Sequence, residues 1–150
     1  MKEKDPSKPS WVVDCLGSSY QRMWNLTREL GKKRLADTLR EGLQLVEFLT
    51  DAGEEAEDQF LSRKDELLSL ANIPAGDPTK GKRRISFKLE GGVVPKVLRL
   101  KELRNLDKPS ELISLAFQYR ELLFLARKSS VPMPITYRGG EIELTELFDR

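Results

Sequence analysis

The spacing of apolar residues centres the chain on one stretch, Pro109 to Lys128. Leu112, Ala116, Tyr119, Leu123 and Ala126 recur at helical intervals, and so do Ile113, Phe117 and Phe124. The two stripes leave Gln118, Arg120 and Glu121 as the main polar side. A helix apolar over so much of its circumference belongs among other elements rather than on the surface. Pro109 suits a first helical turn, with Asp107 or Ser110 as the capping residue, and Arg127 and Lys128 suit a C-terminus.

The preceding pattern is also mainly helical. Leu16, Tyr20, Met23, Thr27 and Leu30 predict a helix within Trp11–Leu30, its regular part starting near Ser18 or Ser19. Leu35, Leu39, Leu43, Val46 and Leu49 predict a second from Lys32 to about Thr50, separate from the first or bent from it at Gly31. Ala56, Phe60, Leu67 and Ala71 give a third, ending near Asn72 and opening on Glu54, Glu55, Glu57 and Asp58, where acidic residues complement the helix dipole. Pro95 opens a fourth, Lys96 to Leu106.

Alternation marks the strands. Ile85, Phe87 and Leu89 alternate with Ser86, Lys88 and Glu90, and Gly91-Gly92 permits a turn back through Val93 and Val94. Residues 135–144 repeat the design around Gly139-Gly140. The expected fold is therefore mainly α: a bundle of four to five helices around a buried helix 109–128, with one or two short β-hairpins at 84–94 and 135–144. Two hairpins could pair into one small sheet. No internal repeat is visible.

Length and composition narrow the picture. The 150 residues suit a single domain over 10–150 behind a charged, Pro-rich tail at 1–9, expected to be flexible. No apolar run approaches the roughly 20 residues of a membrane span, and the N-terminus lacks a signal-peptide core, so a cytoplasmic protein without membrane contact is expected. Cys15 is the only cysteine and histidine is absent. Those absences remove the commonest general base, the usual partner of a nucleophile and most zinc chemistry. No catalytic residue, metal or cofactor is expected.

Two motifs invite chemistry without carrying it. Gly76-Asp77-Pro78-Thr79-Lys80-Gly81-Lys82 fits the start of a phosphate-binding loop, but Arg83 stands where Ser or Thr must hold magnesium, and the stretch precedes a strand rather than a helix. Asp51, Glu54, Glu55, Glu57 and Asp58 lack the alternating ligands and turn glycine of a calcium loop.

Charge is more informative. Residues 80–108 hold ten basic side chains against three acidic, whereas the flanking segments are net negative. Lys80, Lys82, Arg83, Arg84 and Lys88, followed by Lys96, Arg99, Lys101 and Arg104, could follow a phosphate backbone without reading bases. Phe87 is the lone aromatic among them, too few to interleave with bases. The expected function is a small non-catalytic subunit of a nucleoprotein assembly, touching DNA or RNA backbone non-specifically and contacting protein partners elsewhere. The alternative is a protein–protein adaptor whose basic patch meets an acidic surface.

Overall fold

The computed structural model describes residues 11–71, 84–89 and 93–147, with the backbone alone for 11–20, 84–89 and 147. The tail at 1–9, the phosphate-loop look-alike and the Gly91-Gly92 turn lie outside the described residues. In chain order the elements are β1 (Trp11–Leu16), α1 (Gly17–Glu29), α2 (Leu35–Ala52), α3 (Glu54–Leu61), α4 (Lys64–Leu70), β2 (Arg84–Leu89), α5 (Val94–Leu103), α6 (Pro109–Lys128), β3 (Pro134–Tyr137), β4 (Gly140–Glu143) and α7 (Leu144–Leu147).

Helix α6 has the bounds its apolar spacing predicts, and α2, α4, α5 and α7 pack around it. Its start is closed by Glu111 rather than by Asp107 or Ser110: the carboxylate accepts the backbone N–H of Asp107 (3.1 Å) and of Lys108 (3.2 Å). Leu112, Ile113, Ala116, Phe117 and Leu123 are buried, while Phe124 is only half-buried. Arg120, assigned by its chemistry to the polar side, is 3% exposed. Enclosure by neighbours on several sides overrides the amphipathic reading there.

Three local expectations are corrected. Trp11–Leu16 is a strand, and the helix expected over 11–30 begins at Gly17. The strand at 84–89 forms, but its partner is β1, in antiparallel register from Trp11↔Leu89 to Leu16↔Arg84. Val94 instead opens α5, with Pro95 in the first turn where a missing N–H costs no helical bond. The expected hairpin near the C-terminus forms as β3–β4, and the two pairs make separate two-stranded sheets. The third predicted helix breaks at Ser62–Arg63 into α3 and α4.

A repeat absent from the sequence pattern emerges in three dimensions. The order strand–helix–helix occurs twice, as β1–α1–α2 and β2–α5–α6. Gly31 and Asn105, 74 residues apart, both take positive φ (74° and 57°) in the helix–helix connection. Their surroundings match at the same shift. Leu30, Gly31 and Lys32 donate N–H bonds to Leu26, Arg28 and Thr27 (2.9, 3.0 and 3.0 Å). Arg104, Asn105 and Leu106 donate to Leu100, Glu102 and Lys101 (2.9, 3.1 and 3.0 Å). The helices then start from Arg34 (φ −132°, ψ 143°) and Lys108 (φ −128°, ψ 144°), again 74 apart.

The two units are related by an approximate two-fold axis. Val13 and Phe87 are counterparts at this shift, and they pair with each other at the centre of the β1–β2 ribbon. Gly42 and Ala116 are also counterparts, and they meet where α2 and α6 approach: a Cβ on Gly42 would lie 2.3 Å from the Ala116 carbonyl oxygen. Two ion pairs obey the same operation. Arg22 of the first unit pairs with Glu121 of the second, and Lys96 of the second with Glu47 of the first. Outside the repeat, α3 carries the β3–β4 hairpin. Gln59 accepts the Thr136 N–H (2.6 Å) and donates to the Thr136 hydroxyl (3.1 Å).

Glycine inside a helix costs about 1 kcal/mol relative to alanine, so Gly42→Ala would stabilise an isolated α2. Here the added methyl collides with backbone, which no rotamer change relieves. Gly42→Ala should lower stability by about 1–3 kcal/mol in urea unfolding. Gln44→Ala, exposed on the same helix, should stay within about 0.5 kcal/mol.

Candidate nucleic-acid interface

The nine basic residues singled out by sequence separate into groups. Lys80, Lys82 and Arg83 lie outside the described residues. Lys96 and Arg99 share a face of α5, and both pair with Glu47 on α2, Lys96 at 3.3 Å. Lys101 is half-buried with its ammonium 3.9 Å from Glu102. Arg104 turns inward: Nη1 donates to Glu57 Oε1 (2.8 Å) and to the Thr50 hydroxyl (3.3 Å), and Nη2 completes a fork on Glu57. The described cations of α5 and its C-cap, Lys96, Arg99, Lys101 and Arg104, thus have acidic neighbours within the protein.

Arg84 and Lys88 have a different placement, on the β1–β2 ribbon. The register sets Val12 opposite Lys88, Asp14 opposite Ser86 and Leu16 opposite Arg84. Residues alternate between the faces of a strand, so these six share one face. Trp11, Val13 and Cys15 with Leu89, Phe87 and Ile85 share the other. One face is apolar throughout; the other mixes two cations, a hydroxyl and a carboxylate with two aliphatic residues. The ribbon packs on α1 and α6.

The β1 half of this face escaped sequence reasoning. Val12 and Leu16 blur the alternation that Asp14 alone would signal, and Trp11–Leu16 merges with the helical spacing of α1. The partner strand begins 68 residues after β1 ends, beyond any local pattern.

Two half-buried carboxylates, Glu57 and Glu41, tie the helices together. Burial raises the pKa of Glu57, but hydrogen bonds from Arg104 and from the Tyr119 hydroxyl outweigh it, leaving the carboxyl below its ordinary 4.5. Burial, followed by the hydrogen bond to Glu57, pushes the Tyr119 phenol up. Glu41 is likewise raised by burial and lowered further by Lys32 (2.6 Å) and Arg120, whose Nε lies 2.8 Å away, so it too sits below 4.5. Arg120 Nη1 is buried without a hydrogen-bond partner among the described residues.

Among the described residues no cluster of three or more His, Cys, Asp or Glu could hold a metal, and no helix is long and apolar enough to cross a membrane. Compared with models of known protein families, with curated proteins and with solved structures, the chain matches none.

Because Glu41 and Glu57 titrate below their unfolded-state value, the unfolded chain takes up protons first as the pH falls. Their contribution is complete above the unfolded pKa and is lost as the pH drops through the folded one. Glu57→Gln and Glu41→Gln should each destabilise the protein at pH 7. Urea unfolding at pH 7 and pH 3 should show the gap from the parent narrowing at the lower pH.

Proposed function

We propose that the protein is a non-catalytic DNA-binding module that lays the β1–β2 ribbon in the major groove of duplex DNA. The observation that carries this reading is the intramolecular antiparallel ribbon centred on the two-fold axis at Val13 and Phe87. The major groove is about 12 Å wide and admits a two-stranded ribbon, and several DNA-binding proteins use strands in this way. The apolar face belongs against the helices, where burial is worth about 25 cal/mol per Å². The opposite choice would bury Arg84, Lys88 and Asp14 and strip them of water.

Duplex DNA is favoured over RNA, because the major groove of A-form RNA is too deep and narrow for side chains to read. The charge balance of 80–108 supports the same reading, since residues immediately before β2 in the chain add Lys80, Lys82 and Arg83 to Arg84. Module and assembly remain compatible: Leu98 and Leu103 on α5 are 45% and 62% exposed, and favour a protein contact as the competing reading.

Titration of the full chain with random-sequence duplexes at two salt concentrations tests the proposal. Binding should appear at low salt and weaken steeply as salt rises. Arg84→Ala and Lys88→Ala should each weaken it, by about 1–3 kcal/mol where the side chain reads a base, or with a salt slope flatter by roughly 1 where it meets a phosphate. The double variant Lys96→Ala, Arg99→Ala, which removes two side chains engaged with Glu47, should leave DNA affinity unchanged within about twofold, an effect below about 0.5 kcal/mol. A parent chain that binds no duplex at low salt, or ribbon variants that bind like the parent, would give preference to the protein-adaptor reading.

A further inference from the structure

We infer that the DNA read by this ribbon is a single non-palindromic site, occupied by one chain. The inference rests on the DNA-binding reading above and specifies its substrate. When two identical chains form a two-fold reader, each groove position is met twice by the same residue, and the preferred site mirrors that symmetry. Here both strands come from one chain, so the ribbon is complete without a second copy.

The counterparts on the mixed face differ in chemistry. At the 74-residue shift, Val12 corresponds to Ser86 and Asp14 to Lys88. A carboxylate at a groove position accepts from the amino group of cytosine, whereas an ammonium donates to the O6 and N7 of guanine. An aliphatic group favours the thymine methyl, whereas a hydroxyl can donate or accept. Positions related by the axis therefore request different bases. Arg84 and Leu16, opposite each other at one end of the ribbon, extend the difference, since the residues at the same shift, Ser10 and Glu90, are of other chemical types. Six paired residues at about 3.4 Å each span about 20 Å, the length of about six base pairs.

Selection of the full chain on a randomised duplex library, followed by sedimentation equilibrium on the enriched duplex, tests this. The expected result is one asymmetric motif of about six base pairs, bound by a single chain. The double substitution Val12→Ser, Asp14→Lys makes the inner positions of the two strands alike. With folding verified by circular dichroism, its selected motif should turn palindromic and keep the half read by Ser86 and Lys88. A palindromic motif for the parent, or two chains per site, overturns the inference and leaves DNA binding intact. So does duplex binding with no enriched motif. Absence of duplex binding at low salt overturns the DNA reading itself, and this inference with it.

Discussion

The backbones of α2 and α6 come together where Gly42 meets Ala116, on the axis that relates the two halves of the chain. Small residues there let the two longest helices approach closely enough for Leu39, Leu43, Leu49, Ile113, Phe117 and Leu123 to be buried around the contact. Everything else in the repeat follows from this placement. The strands that precede each helix pair reach each other as a ribbon with Val13 and Phe87 at its centre. The same approach lets Arg22 cross to Glu121 and Lys96 to Glu47. A side chain at position 42 would push on a carbonyl, and displacement there is transmitted through a close-packed interior.

Two departures from the symmetry place a guanidinium where the counterpart position holds an aliphatic side chain. Arg120 occupies the position equivalent to Val46, so one unit places a guanidinium where the other places an aliphatic side chain. That charge is tolerable because Glu41, itself held by Lys32, accepts from it. Such a network need not add net stability, since desolvation opposes the attraction, but removing one partner would strand a buried charge. Arg104, equivalent to Leu30, is recruited in the same manner by Glu57 and binds α3 to the second unit. These pairs also account for much of the positive charge that looks available in the linear sequence: Lys96, Arg99 and Arg104 answer acidic residues brought from α2 and α3.

The proposed role of the ribbon is a consequence of joining both halves in one chain. A reader assembled from two identical chains is symmetric by necessity, whereas a single chain can vary its halves independently. The six identical pairs across 11–52 and 85–126, Gly17/Gly91, Leu26/Leu100, Gln44/Gln118, Glu47/Glu121, Leu49/Leu123 and Ala52/Ala126, show how far the halves differ. What they retain is a turn geometry, a buried pattern and a register.

The sequence by itself located α2, α5 and α6. Apolar spacing placed α6 at its observed bounds and α2 within three residues of its own, because helical periodicity is local and repeats every 3.6 residues. It also marked β2 and the β3–β4 hairpin, whose alternation and Gly-Gly turn lie within a few residues of each other. Only the tertiary structure decided that Trp11–Leu16 is a strand, that its partner is β2, and that β1–α1–α2 and β2–α5–α6 repeat one unit. Pairing between strands whose ends lie 68 positions apart in the chain leaves no local period, and counterpart positions kept burial and backbone geometry rather than identity. The burial of Arg120 and the pairing of Lys96 and Arg99 with Glu47 were decided at the same level. A charge's environment depends on which helix lies opposite it, and that neighbour is distant in the chain.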